Sequence, residues 1–258
     1  MADKQRDERQ GAAAFWRGVG TVAGREGGAY FDSPIAYVSA AVFLVLAGTV
    51  FMNSFFLRGL VDMGPYFETL PYLLVPFLPA LTMRSWAEER AQHTFELVMT
   101  LPLHPLQLVL GKYLAALGFY LLILAGSLPI VVMLLFLGDP DLGVVFSSYL
   151  GASLLGALFL AFGLFVSGLT RDQIVAFVLG ASLGFFFVFS GHEKVVEILD
   201  GLAPAWQAGT WLYESVSVMP HYGAFCRGAI GLGPLLFFVL LSAFFVWMNE
   251  IALRRSKL

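Results

Sequence analysis

Hydrophobic and polar positions alternate in long blocks along this chain, and the blocks are too long for the strands or helices of a water-soluble core. A bilayer interior of about 30 Å needs roughly 20 apolar residues in a helix, and six segments have that character: residues 35–57, 65–83, 113–137, 142–169, 174–191 and 230–248. The second is interrupted by Pro71, Pro76 and Pro79, which predict a kinked or broken helix. The third carries Pro129, and the turn Gly138-Asp139-Pro140-Asp141 joins it to the fourth as a tight hairpin. Before the first block lies a leader, charged to Gln10 and then amphipathic from Ala12 to Phe31. Its apolar positions are Phe15, Trp16, Val19, Val22, Tyr30 and Phe31, and it reads as a helix lying along the membrane surface.

Two connections exceed what a hairpin needs. Residues 84–99 read as one helix, with Trp86, Ala87, Ala91, Phe95 and Val98 or Met99 near helical spacing, before Leu101-Pro102-Leu103-His104-Pro105 ends it. Residues 191–233 open with an amphipathic stretch that sets Val195, Val196, Ile198, Leu199 and Leu202 against Glu193, Lys194, Glu197 and Asp200. These patterns predict an all-α integral membrane fold. Its parts are a leader over residues 1–34, a six-span domain over 35–250 and a tail over 251–258.

Composition narrows the class. Hydrophobic residues make up 59% of the 258 and charged residues 13%, against about 45–50% and 25% in soluble domains. The net charge of −3 leaves no basic face for nucleic acid, and the lone Cys226 permits neither an intramolecular disulfide nor a Cys-pair metal site. Charge also orients the chain. With the N-terminus inside, twelve of the fifteen lysines and arginines fall on inner segments and only Arg58, Lys194 and Arg227 on outer ones. The positive-inside bias therefore predicts that both termini are cytoplasmic.

Candidate chemistry is sparse. Glu68, near the outer end of the second span, reads as solvated at headgroup level. Gly180-Ala181-Ser182-Leu183-Gly184 fits a nucleophile-elbow pattern but lies inside an apolar helix, where Gly180 and Gly184 form a small-residue packing face. His192-Glu193 would need a second histidine at Val196, and Gly111-Lys112 lacks the leading glycine and the Ser or Thr of a phosphate-binding loop. No catalytic or metal site follows. The remaining constellation is Glu88, Glu89, Arg90 and Glu96 on the inner connection, a polar face suited to docking a soluble protein, or simply to solvation.

Four stretches resemble the permease subunits of ABC-2 type transporters, and within them the gliding-motility type. Arg25-Glu26 with Tyr30-Phe31 and Ser33-Pro34-Ile35-Ala36-Tyr37 resembles the family's entry to its first helix. Glu88-Glu89-Arg90 followed by Thr94-Phe95-Glu96-Leu97 and Thr100-Leu101-Pro102 resembles its cytoplasmic segment, with His93 where the family has glycine. Gly111-Lys112-Tyr113-Leu114 resembles the opening of its third helix. His221, Phe225, Arg227 and Gly228 match the stretch before its last helix.

The resemblance implies a permease of a prokaryotic inner membrane that binds no nucleotide. ATP and magnesium would be held by cytoplasmic ATPase subunits, and a second permease copy or a related permease would complete the pore. Residues 84–103 would carry the coupling helix, with Glu88, Glu89, Arg90, Thr94, Phe95 and Glu96 as the ATPase contact, and residues 12–31 the connecting helix. The segment after the fifth span would form short re-entrant helices, with His221, Phe225, Arg227 and Gly228 in the outer segment. The family also allows an extracytoplasmic auxiliary subunit. The alternative reading is a membrane anchor that transports nothing and transmits conformational change from an ATPase to an extracytoplasmic partner.

Overall fold

Prolines and capping side chains start most of the long helices. The computed structural model describes residues 2–59, 62–100, 102–138, 140–202 and 207–255. Among these the order is α1 (Ala2–Asp32), α2 (Pro34–Arg58), α3 (Gly64–Thr82), α4 (Arg84–Ala91), α5 (Phe95–Thr100), α6 (Pro105–Ala125), α7 (Leu128–Leu137), α8 (Leu142–Leu169), α9 (Gln173–Phe189), α10 (Glu193–Leu202), α11 (Ala208–Ser215), α12 (Val218–Cys226) and α13 (Leu232–Arg255). Pro34 and Pro105 occupy first-turn positions, where the missing N–H costs nothing. Asp141 accepts hydrogen bonds from the N–H groups of Gly143 and Val144, and Asp172 from those of Ile174 and Val175, capping α8 and α9. Leu101, Asp139 and Lys257 lie outside the described residues.

Four stretches among the described residues are long and apolar enough to cross a membrane: Pro34–Leu57, Pro105–Leu137, Leu142–Leu169 and Leu232–Arg255. A fifth is the pair Gln173–Phe189 and Glu193–Gly201, bent by 78°. The expected second span forms as the helix α3, but with Glu68, two tyrosines and its prolines it is not among these stretches. Nor does α3 break at its prolines. Pro71 leaves the Phe67 carbonyl without its helical partner, and the Tyr222 hydroxyl donates to that oxygen at 2.9 Å. The break falls instead in the third span, between α6 and α7, where the ring of Pro129 denies the helix its continuation past Ala125. That span also starts earlier than expected, at Pro105, so Gly111 and Lys112 lie two turns inside the helix.

The bundle is organised around α8, which touches α3, α4, α6, α9, α12 and α13. Small residues let neighbours approach it. A Cβ on Gly156 would strike the Tyr120 ring, and one on Gly151 would come within 2.6 Å of the Phe225 Cβ. The Gly180 and Gly184 face packs α9 on α3, against Pro79 and Val75, while Ser182 sits on the exposed side. Rings of Phe159, Phe162, Phe187 and Phe245 meet in the bundle centre.

Candidate functional site

The leader is a single helix whose apolar positions divide between two surroundings. Val19 and Val22 are buried, with Val22 seated where Gly111 of α6 leaves room, and Tyr30 stacks on Phe119 at 5.2 Å. The Gln107 side chain donates to the Phe15 carbonyl at 3.0 Å. Trp16 and Phe31 stay about half exposed, positioned as amphipathic surface helices place their membrane-facing rings.

Where α1 and α4 converge on α6, a lysine is buried. Lys112 is 3% exposed, and its ammonium uses its three donors on Glu26 (3.0 Å), Glu89 (2.8 Å) and the Ser85 carbonyl (2.9 Å). It also sits 4.7 Å from the centre of the Trp86 ring. Arg25 pairs with Glu26 at 2.7 Å and reaches Glu89 at 3.8 Å. Burial by itself would push the Glu26 carboxyl up, but Lys112 and Arg25 outweigh it and hold the group below its ordinary value. One cation thus ties together three elements that lie far apart in sequence. A partly buried pair of this kind adds little net stability when complete and costs several kcal/mol when one partner is removed.

A second tie fixes α4 to the core. The Ser167 hydroxyl near the end of α8 accepts from the backbone N–H groups of Trp86 (3.1 Å) and Ala87 (3.2 Å) and donates to the Met83 carbonyl (3.0 Å). These are the N–H groups that a helix start leaves without partners, and Trp86 is wholly buried beside them. The helix expected over residues 84–99 does not run through. It ends at Ala91 and resumes at Phe95, because His93 adopts a left-handed φ of 57°. That is the position where the resemblance calls for glycine, the residue for which such a backbone is free of strain.

The expected contact residues therefore divide. Glu89 is turned inward onto Lys112, and Phe95 is buried against Trp86 with the Arg90 guanidinium 4.5 Å above its ring. Burial lowers the Arg90 pKa, and Arg171 nearby adds to the shift. The Thr94 hydroxyl donates to the Glu89 carbonyl. Glu88 is half-buried, and Gln92, His93, Glu96 and Leu97 are exposed.

Farther along the chain, His221 stacks on Phe237 at 4.0 Å, Phe225 is fully buried, and Arg227 is exposed. Gly228, with φ 82°, ends α12. The amphipathic α10 is clasped to α11 through Asp200, which accepts from Gly209 N–H (2.6 Å), Thr210 N–H (3.2 Å) and the Thr210 hydroxyl (2.7 Å). Glu250, 6% exposed, pairs with Arg254 at 2.5 Å beside His104.

Sequence reasoning did not single out Lys112, Ser167 or Glu250 as parts of a site. Only Lys112 carries a legible signal: it is a lone cation at the head of an apolar block, with no phosphate-loop residues around it to use its charge.

The geometry defines a multi-pass helical membrane protein in which a buried polar junction lies beside a short exposed segment between two apolar helices. Residues 35–203 match the model of the ABC-2 family transporter protein, and the chain belongs to that family. It is thereby the membrane permease component of an ABC transporter. The match runs from α2 into the chain just beyond α10, so the leader and the His221–Gly228 stretch lie outside it. No curated protein matches the chain.

Proposed function

We propose that α4 and α5 form the docking element through which cytoplasmic ATPase subunits drive this permease. The observation that carries this reading is the double anchoring of α4, to α8 through Ser167 and to α6 and α1 through Lys112. A push on the exposed Glu96 and Leu97 would reach the central helix and the leader together, as rigid packed elements with discrete arrangements require. Glu88, Arg90, Thr94 and Glu96 make the outer contact, and Glu89 and Phe95 hold the segment in shape. ATP and magnesium belong to the partner, and this chain carries no cofactor of its own.

The same reading has six spans, with α3 as the second, both termini cytoplasmic, and a second permease copy or a related permease completing the pore in a prokaryotic inner membrane. The resemblance supports the gliding-motility type. The alternative is the transmitter reading, in which nothing is transported and an extracytoplasmic auxiliary subunit receives the motion.

The test is charge reversal of Glu88 and Glu96 together in the assembled complex. The expected result is at least about a tenfold loss of ATPase copurification, the equivalent of about 1.4 kcal/mol, with the permease still folded. Unchanged copurification and unchanged stimulation of ATP hydrolysis would remove the docking role.

A further inference from the structure

Near the end of α8, Gly168 is flanked by two side chains from other helices. A Cβ on it would lie 3.0 Å from Oδ1 of Asn249 in α13 and 3.7 Å from Cδ1 of Trp86 in α4, the ring carbon bonded to the indole nitrogen. Trp86 is wholly buried and Asn249 is 1% exposed. Yet Trp86 Nε1, Asn249 Oδ1 and Asn249 Nδ2 have no hydrogen-bond partner among the described residues, and water cannot reach them. A buried indole N–H and a buried amide are costly to leave unpaired. Here the donor and the acceptor that would satisfy one another are neighbours across a single glycine. A small shift of α4 against α13 brings them together, and asparagine side chains bridge membrane helices in this way.

Each partner sits at the end of a chain of ties. Trp86 lies two residues before Glu88 in the proposed docking element, with the Phe95 ring of α5 at 6.2 Å from its own and its backbone N–H held by Ser167. Asn249 precedes Glu250, which pairs with Arg254, and Arg254 meets Nε2 of His104, at the start of α6, at 3.2 Å. We propose that Trp86 and Asn249 form a latch. Unengaged in the arrangement described, they make the Nε1–H to Oδ1 hydrogen bond in the state that ATP-bound partner subunits impose on α4, and the last helix then moves with it. Packed helices switch between discrete arrangements of this kind. Asn249 is a positioning residue, because it acts through α13. The latch takes its drive from the docking role of α4 and α5, but ATPase copurification reports docking and the indole reports the latch.

Ultraviolet resonance Raman of the full-length chain, with the other four tryptophans replaced by phenylalanine, reads the hydrogen bonding of the Trp86 indole N–H. The free permease is expected to show an unbonded indole, and the assembled complex held with a non-hydrolysable ATP analogue a bonded one. Asn249→Leu is expected to abolish the bonded signal and to lower stimulation of ATP hydrolysis about tenfold, the equivalent of one hydrogen bond in the driven state. Its ATPase copurification should be unchanged. The thermal midpoint of the free variant should be no lower than wild type, since an apolar group of similar shape replaces an amide without partners. Gly168→Ala leaves both partners in place but crowds Oδ1, and loss of the bonded signal there guards against a folding defect in the first variant. A bonded indole in the free permease, an unbonded one in both states, or a bonded signal or full stimulation that survives Asn249→Leu would overturn the latch. So would loss of copurification in Asn249→Leu, which would make Asn249 a support of the docking surface. Charge reversal at Glu88 and Glu96 that leaves copurification intact removes the docking role, whereas the indole signal decides whether Trp86 and Asn249 engage.

Discussion

The junction of α1, α4 and α6 and the α10–α11 clasp use the same chemistry at different ranges. At the junction, Lys112 reaches Glu89 and Glu26, 23 and 86 residues away, and Ser167 reaches Trp86 across 81. In the clasp, Asp200 bonds Gly209 and Thr210, nine and ten residues on. Long-range polar ties make separate elements move as one, whereas a local tie makes a self-contained unit. Under the proposed docking role, the difference suits the first region to transmission and the second to independence.

The sharpest way to break the contrast is Lys112→Met. It leaves Glu26 and Glu89 facing each other with only the largely exposed Arg25 as a cation, and a loss of about 3 kcal/mol is expected. The leader should become sensitive to protease in the folded protein, and coupling to ATP hydrolysis should fall with it. Protection of the leader at the wild-type level would show that the lysine does not join these elements.

Ser167→Ala comes next. It strips the acceptor from two buried N–H groups and should cost about 1–3 kcal/mol, read as a lower midpoint of thermal unfolding. Asp200→Asn at the clasp supplies the opposite case. Faster hydrogen exchange should be confined to α10 and α11, and spread of that effect to α4 would collapse the distinction between the regions. His93→Gly should act in the other direction and raise stability by roughly 0.5–1 kcal/mol, because glycine takes the left-handed backbone without a Cβ clash.

Acidity provides the mildest probe. Glu26 is held below its ordinary value of 4.5, so its contribution is present at neutral pH and fades as pH falls through the depressed value. Below that value protonation weakens the grip on Lys112, and leader release measured by limited proteolysis should rise there while staying flat between pH 6 and 8, a range well above carboxylate titration.

Much of the helical scaffold could be read in the chain because it depends on local periodicity. The apolar segments 35–57, 142–169 and 174–191 form the helices α2, α8 and α9 within a few residues, since an apolar block bounded by Pro34, Asp141 or Asp172 carries its own start signal. Residues 65–83 illustrate the limit. Three prolines predict a kink or a break, and α3 does not break; at Pro71 the freed Phe67 carbonyl is satisfied by the Tyr222 hydroxyl, 155 residues away. His93 illustrates the reverse, for its place in a helical pattern gives no sign of a positive φ.

The candidate site divides along the same line. The type and position of Glu88, Glu89, Arg90 and Glu96 were open to view, but which of them face outward was not, because that depends on where Lys112 is delivered by α6. Hydropathy and turn chemistry act over a few residues, so the sequence by itself determined the helices, their apolar lengths and the exposed polar segment between them. Burial of a charge is decided only when distant helices close around it, so the tertiary structure alone turned Glu89 inward, paired Lys112 with the leader and made α8 the centre of the bundle.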